Sequence, residues 1–256
     1  MKKDFSDPHR TDRRTAFISD IHGNSLALAA VLDDIAGRDI SAVYNLGDSL
    51  FGPVDPHGTF DLLVNSDIKH LMGNGDRALL LPDDGSSSTM NLVRGGLTSS
   101  ERKWLAQLPS EIRTDRFTLF HGSPESDQEY LLEGLNSGGA YLKSLADLKT
   151  ELSAIDTPVV VSGHSHVPRV VQLPGGPLVV NAGSVGLPAY KDDWPCWHKM
   201  ESGSPQAKYV ILEETDEGWL VEIVGVPYDW KEAARLADSQ GRADWAQCLA
   251  TGFAEV

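Results

Sequence analysis

Cysteine is nearly absent from this 256-residue chain, basic side chains are few, and no apolar run is long enough to span a bilayer. The two cysteines, Cys196 and Cys248, lie far apart and in no paired spacing, which excludes a disulfide framework and a thiolate metal cluster. With 22 Lys and Arg against 37 Asp and Glu, the formal charge of -15 repels long polyanions, and no basic stripe interleaved with aromatics follows the N-terminus. A docked nucleic acid polymer is therefore not expected as a partner, and neither is a membrane. The opening residues contain no apolar stretch of the secretory type, so the expectation is a soluble, cytoplasmic protein. Lys2, Lys3, Arg10, Arg13 and Arg14 give residues 1–14 a local positive character, read as a flexible, solvated tail or a binding arm. Residues 15–256 are expected to form a single domain.

What the chain does have is an alternation of short apolar runs and helical patterns, the mark of an α/β architecture. Strands are expected at Thr15 to Ser19, Ala42 to Leu46 and Ile68 to Met72, with helices at Asn24 to Arg38, capped by Asn24, and Pro56 to Asn65. Thr98 and Glu101 form a capping-box pattern for a helix that stops at Pro109, and the Ser- and Gly-rich stretch from Asp83 to Gly96 reads as a loop. A hairpin turns at Thr114-Asp115. Two helices are then expected near Glu125 to Gly134 and Gly139 to Leu152. Strands follow at Pro158 to Val161, Arg169 to Leu173 and Leu178 to Asn181, then a hairpin around Thr215 to Gly218 and a helical end from Trp230 to Ala250.

Six polar segments interrupt this pattern where strands should end: Asp20-Ile-His22, Gly47-Asp48, Gly73-Asn74-Gly-Asp76, His121-Gly122, Gly163-His164-Ser-His166 and Asn181-Ala-Gly-Ser184. The first five each follow an apolar run. They supply carboxylates, imidazoles and one amide oxygen, a donor set that suits hard or borderline divalent ions and is large enough for two. Taken singly, each segment is also an ordinary turn.

In order and spacing these segments resemble the calcineurin-like metallophosphoesterase superfamily, in the branch of small prokaryotic phosphoesterases whose third motif reads Gly-Asn-x-Asp. The resemblance covers about Thr15 to Tyr228. It implies an αββα sandwich, two mixed β-sheets flanked by helices, with metals at one end of the strands. It also implies that Asp20, His22 and His166 hold one metal, that Asn74, His121 and His164 hold the other, and that Asp48 bridges both. Two divalent ions are the implied cofactor, with Mn first and Fe, Zn or Ni as alternatives.

Two ions roughly 3.5–4 Å apart polarise a phosphoryl oxygen and generate a hydroxide for in-line displacement. Asp48 and Asn74 are thus the candidate catalytic residues on the metals. Many relatives carry histidine where this chain has Gly75, and that histidine is thought to protonate the leaving group. His57 is the nearest substitute in the sequence, read either as that acid or as a solvent-facing residue at a helix start. His198 is a second candidate, in a stretch with Trp194 and Trp197 that folds over the site or anchors its tryptophans in the core. Arg77 is read as a phosphate contact or a surface ion pair, Asn24 as a cap alone or a cap beside the bound anion, and Asn181 as a turn or a substrate contact.

The expected function is hydrolysis of a small phosphodiester or phosphomonoester by a metal-bridging hydroxide, with a small phosphorylated substrate as the partner. The same metal core would also support a phosphatase acting on phosphoprotein or dinucleoside polyphosphate. A metal-binding regulatory or scaffold protein without turnover is the alternative of another class.

Overall fold

A computed structural model describes residues 14–82 and 88–254. The expected tail lies outside the described residues except for Arg14, which pairs with Glu213 as the first residue of a strand. The chain begins with β1 (Arg14–Ile18), α1 (Ser25–Ala36), β2 (Ala42–Asn45), α2 (Pro56–Val64) and β3 (Lys69–His70). Three short helices follow, α3 (Asn74–Leu80), α4 (Ser88–Gly96) and α5 (Ser99–Leu105). Next come β4 (Glu111–Arg113), β5 (Phe117–Phe120), β6 (Glu133–Asn136), β7 (Gly139–Leu142), α6 (Leu145–Glu151), β8 (Val159–Ser162), β9 (Arg169–Gln172) and β10 (Leu178–Asn181). The rest is β11 (Ala189–Asp192), β12 (His198–Glu201), β13 (Ala207–Thr215), β14 (Gly218–Val226), α7 (Trp230–Ser239) and α8 (Ala243–Thr251).

Two five-stranded mixed sheets form, in the orders β14-β13-β1-β2-β3 and β4-β5-β8-β10-β9. Period-2 alternation explains why they stack. Phe17 of β1 points into the space between the sheets with Phe117, Val159, Val161 and Val180, while its neighbours Ala16 and Ile18 face Leu28, Val31 and Ile35 of α1. In the same way Val160 and Val179 point outward to Leu148 and Leu152 at α6. Strands covered on both faces read as continuous apolar runs, as these do. Each fully buried Phe or Val contributes roughly 1.5–3 kcal/mol. The result is the expected αββα sandwich.

The local signals at α1 and α5 are realised. Asn24 Oδ1 accepts from Ala27 N at 3.1 Å, a cap worth about 1 kcal/mol, and Thr98 with Glu101 makes the capping box. Other expectations are corrected. Residues 88–96 form α4 rather than a loop, because Met90 and Val93 pack against Leu79 and Leu105. No helix occupies 125–134, and 139–152 is not one helix: β6 and β7 form a hairpin there, and the helix starts only at Leu145. The stretch after Tyr190 is a second hairpin, β11–β12. The helical end is two helices. Among the described residues no helix is long and apolar enough to cross a membrane.

Candidate metal centre

Neighbouring strands β1, β2 and β3 run parallel, as do β5, β8 and β10, so their carboxyl ends gather in one place. Asp20 and His22 follow β1, Asp48 follows β2, Asn74 follows β3, His121 follows β5, and His164 and His166 follow β8. The loops are stitched by main-chain hydrogen bonds: Asp20 N to Gly47 O (3.0 Å), His22 N to Asp48 O (2.9 Å) and Gly163 N to His121 O (2.9 Å).

Among the described residues, the non-glycine residues with positive φ are Asp20 (53°), His22 (50°), Asp48 (52°), His164 (67°) and His166 (60°). All five are expected ligands. Side chains rarely adopt this backbone region, and such strain persists only where the surroundings impose it. In His164-Ser-His166 it supplies the twist that lets two alternate residues converge.

Asp20, His22 and His166 form one group whose ligating atoms lie within 4.8 Å of one another, and Asp20, Asp48 and His121 form a second. His166 Nε2 is 3.2 Å from Asp20 Oδ1. Asp48 reaches His22 Nε2 at 3.8 Å and His121 Nε2 at 3.6 Å, so it stands between the two groups, and Asp20 belongs to both. His121 Nε2 lies 2.9 Å from Asn74 Oδ1, and the His121 and His164 rings are 5.1 Å apart. All seven expected ligands are therefore brought together.

Hydrogen bonds fix the imidazole tautomers. Nδ1 of His22 faces Phe51 O at 2.7 Å, that of His166 faces Leu187 O at 2.6 Å and that of His121 faces Leu46 O at 2.8 Å. A carbonyl only accepts, so each Nδ1 carries the proton and each Nε2 of a neutral ring presents a lone pair. Yet His22 Nε2 and His166 Nε2 face each other at 3.0 Å. Beside them Asp20 Oδ1 is buried with no hydrogen-bond partner, while its Oδ2 accepts from His164 N. Asp20 and Asp48 are buried, and no lysine or arginine among the described residues pairs with either. Converging lone pairs and uncompensated carboxylates fit a divalent cation and are costly without one.

The electrostatics agree. Burial pushes His22 and His164 each down to about 4. Both rings are neutral and available to a cation at neutral pH. Burial opposes ionisation of Asp20, but His166 and the other imidazoles hold its carboxyl well below the usual range. Beneath the cluster Asp76 accepts from Ser49 N and Leu50 N, and burial with the charge of Asp48 pushes it up to about 7.

The other candidates fall elsewhere. The side chain of His57 is 53% exposed and pairs with Glu101 through Nδ1 at 2.5 Å, which turns it toward the cap of α5. Arg77 forms a two-pronged ion pair with Asp127 at 2.7 and 2.9 Å, within electrostatic reach of Asp48. Asn24 is buried, and its amide donates to Gly186 O and Tyr228 Oη as well as capping α1, so the carboxamide is fully engaged within the fold. Asn181 likewise ties Gly163 O, Ser165 Oγ and Gly183 N into a turn. Trp194 and Trp197 are 60% and 51% exposed, so they do not anchor in the core. Sequence reasoning missed a buried chain in which His198 Nδ1 faces Cys196 O, Tyr130 Oη lies 2.8 Å from His198 Nε2, and Tyr190 Oη lies 2.5 Å from Tyr130 Oη. With both ring nitrogens engaged, His198 is not a free acid. No local signal marks such a long-range chain.

Residues 14–212 match the calcineurin-like phosphoesterase superfamily domain. An uncharacterized protein of Methanocaldococcus jannaschii is 27% identical over 260 residues, covering 90% of this chain and 94% of that protein. The crystal structure of a metallophosphoesterase from Sphaerobacter thermophilus superposes with a TM-score of 0.73 at 25% identity, covering 94% of this chain and 99% of that one. A hypothetical protein from Pyrococcus horikoshii gives a TM-score of 0.71 at 18% identity, with 93% and 98% coverage, a likeness of fold.

Proposed function

The chain belongs to the calcineurin-like phosphoesterase superfamily, and we propose that it is a dinuclear metal-dependent phosphoesterase that hydrolyses small phosphodiesters or phosphomonoesters, with phosphodiesters preferred. The observation that carries this reading is the meeting of His22 Nε2 and His166 Nε2 at 3.0 Å beside the orphaned Asp20 Oδ1. Asp20, His22 and His166 would hold one cation, Asn74, His121 and His164 the other, and Asp48 would touch both. Cations held there supply the positive charge that draws a phosphate into an otherwise acidic protein and make water acidic enough to attack. The donor set is nitrogen and oxygen only, which suits Mn and also Fe, Zn or Ni.

The chain's own residues fix the geometry. Main-chain carbonyls hold His22, His121 and His166 in the tautomer that leaves Nε2 free, and Asp76 clamps the loop that carries Asp48 through Ser49 N and Leu50 N. In the overall reaction a water oxygen bonds to phosphorus as the bond from phosphorus to the leaving oxygen breaks. Among the described residues, none of the candidate acids stands free at the cluster: position 75 is glycine, His57 is turned to Glu101, and His198 is buried. Good leaving groups are therefore favoured.

The test is an assay of metal-stripped protein with bis(p-nitrophenyl) phosphate and with p-nitrophenyl phosphate, before and after adding Mn. Hydrolysis that returns with metal, faster for the diester, is expected. Stoichiometric metal binding with no turnover of either ester would establish the scaffold reading instead.

A further inference from the structure

Beside the cluster lies a cavity of about 480 Å³ with Asn74 and His164 in its lining, within the roughly 300–1,000 Å³ of small-molecule sites. Its other side is made by the two hairpins that the sequence did not reveal. The β11–β12 loop contributes Trp194, whose large apolar surface is 60% exposed. Exposed tryptophan is the informative case, since burial is its ordinary state. Trp197, in the same loop and 51% exposed, lines a separate cavity that includes none of the seven expected metal ligands.

The charge around Trp194 is one-sided. Glu129, Glu133 and Asp192 line the cavity against one ammonium, that of Lys143. Lys143 Nζ is already engaged, 2.8 Å from Glu151 and 2.9 Å from Tyr130 O. Glu133 accepts from Arg169 Nε at 3.1 Å through Oε1, but its Oε2 is buried without a hydrogen-bond partner, and the neighbouring Ser165 hydroxyl makes no bond of ordinary geometry to it. A ligand there meets an aromatic face, carboxylates and no free cation among the described residues. The attraction for phosphate is confined to the metal-ligand side.

We infer that this cavity is a leaving-group subsite that stacks a planar aromatic, phosphate-free group on Trp194, a nucleoside being the biological class. The inference rests on the phosphoesterase reading above and narrows its substrate. A diester whose leaving side is a nucleoside fits, whereas a dinucleoside polyphosphate would carry further phosphate charge in among three carboxylates. Stacking of a base on an aromatic side chain is worth roughly a 5- to 100-fold change in affinity.

The probe is adenosine, titrated into metal-free protein by calorimetry and ligand-observed NMR, with ADP as the charged comparison. Adenosine should bind wild type more tightly than ADP does. Trp194→Ala should weaken adenosine roughly 5- to 100-fold, Trp194→Phe should restore part of it, and Trp197→Ala should leave it unchanged. Equal affinity in the two alanine variants, no adenosine binding to wild type, or tighter binding of ADP would overturn the subsite. Hydrolysis of bis(p-nitrophenyl) phosphate by the Mn-loaded wild type is measured in parallel. Turnover without Trp194-dependent binding removes the subsite and leaves the hydrolase. Trp194-dependent binding without turnover removes the hydrolase and, with it, the leaving-group role.

Discussion

On the floor of this centre, five ligand residues hold a backbone region that side chains avoid, and each neutral ring whose partner is a main-chain carbonyl is locked in one tautomer. On the rim, Trp194 is exposed in the loop of a two-stranded hairpin that also carries Asp192, while Glu133 lies on β6 and Glu129 in the loop before it. The floor is built from strand ends and adjacent turns, so its chemistry is fixed by the sheets themselves. The rim is built from separate hairpins packed against one another, and it meets the floor through Tyr190, which packs on the His166 ring. If the subsite inferred above holds, reaction class and substrate choice are carried by different parts of the chain.

The strongest way to break this division is to strike the floor alone. Asp48→Asn removes the carboxylate that stands between His22 and His121. Hydrolysis should fall on the order of 10²–10³-fold or more, while adenosine binding at the rim and the melting temperature of metal-free protein stay near wild type. Near-normal kcat at saturating Mn would mean that Asp48 does not join the two groups.

Gly75→His tests whether the floor tolerates the histidine that the family resemblance implies at this position. The sequence alone suggests that this change would restore leaving-group protonation and help alkyl esters. The structure argues otherwise, because a Cβ at position 75 would lie 2.9 Å from Phe51 Cβ and 3.0 Å from Asp48 Oδ2. Metal affinity and aryl-ester hydrolysis should both drop, roughly 10–100-fold as for damage to groups that support a metal ligand. A rise in alkyl-ester rate with full metal content would show that Phe51 yields and that the floor is less rigid than its backbone implies.

Much of the floor was legible because each ligand is local to a strand end: an apolar run, then Asp, His or Asn within a few residues. Positive φ was not legible, since nothing in Asp-Ile-His differs from an ordinary turn. The rim was misread for physical reasons. At 133–142 Gly134 pairs with Tyr141, whose ring lies where a Cβ would be, 2.5 Å away, so a residue that breaks the strand pattern is what the hairpin needs. In α4, Met90 and Val93 gain burial against other helices, which outweighs a composition poor in helix formers. The exposed tryptophans obey no periodicity at all.

Acid provides a control that separates loss of metal from loss of fold. His70, at the end of β3, is packed against Trp104, and burial pushes it down to about 4 from an ordinary 6.5. Its folded pKa is below its unfolded one, so the unfolded chain binds the proton first. The stability it protects is complete above about pH 6.5 and is lost as pH falls from there toward 4. The part due to His70 should be about 3 kcal/mol, and His70→Gln should remove that part while the similar losses from His22 and His164 remain. Denaturant melts of metal-free protein between pH 4 and 7 provide the measurement; identical pH profiles for variant and wild type would show that His70 is not the group responsible.

The smallest effect should come from the seam between floor and rim. His198 Nδ1 must donate to Cys196 O and Tyr190 Oη donates to His164 O at 3.0 Å, with the Tyr130 hydroxyl between them, 2.8 Å from His198 Nε2 and 2.5 Å from Tyr190 Oη. Tyr190 packs on the His166 ring at 4.5 Å, so this chain ties the β11–β12 hairpin to a metal ligand. Tyr130→Phe removes the middle hydroxyl and leaves a buried acceptor on His198, at a cost of about 1–3 kcal/mol. If the seam only positions the rim, metal content and Mn-dependent kcat on bis(p-nitrophenyl) phosphate should hold while adenosine binding weakens by a few-fold. A loss of bound metal instead would show that the rim supports the floor, and the division between reaction class and substrate choice would not survive it.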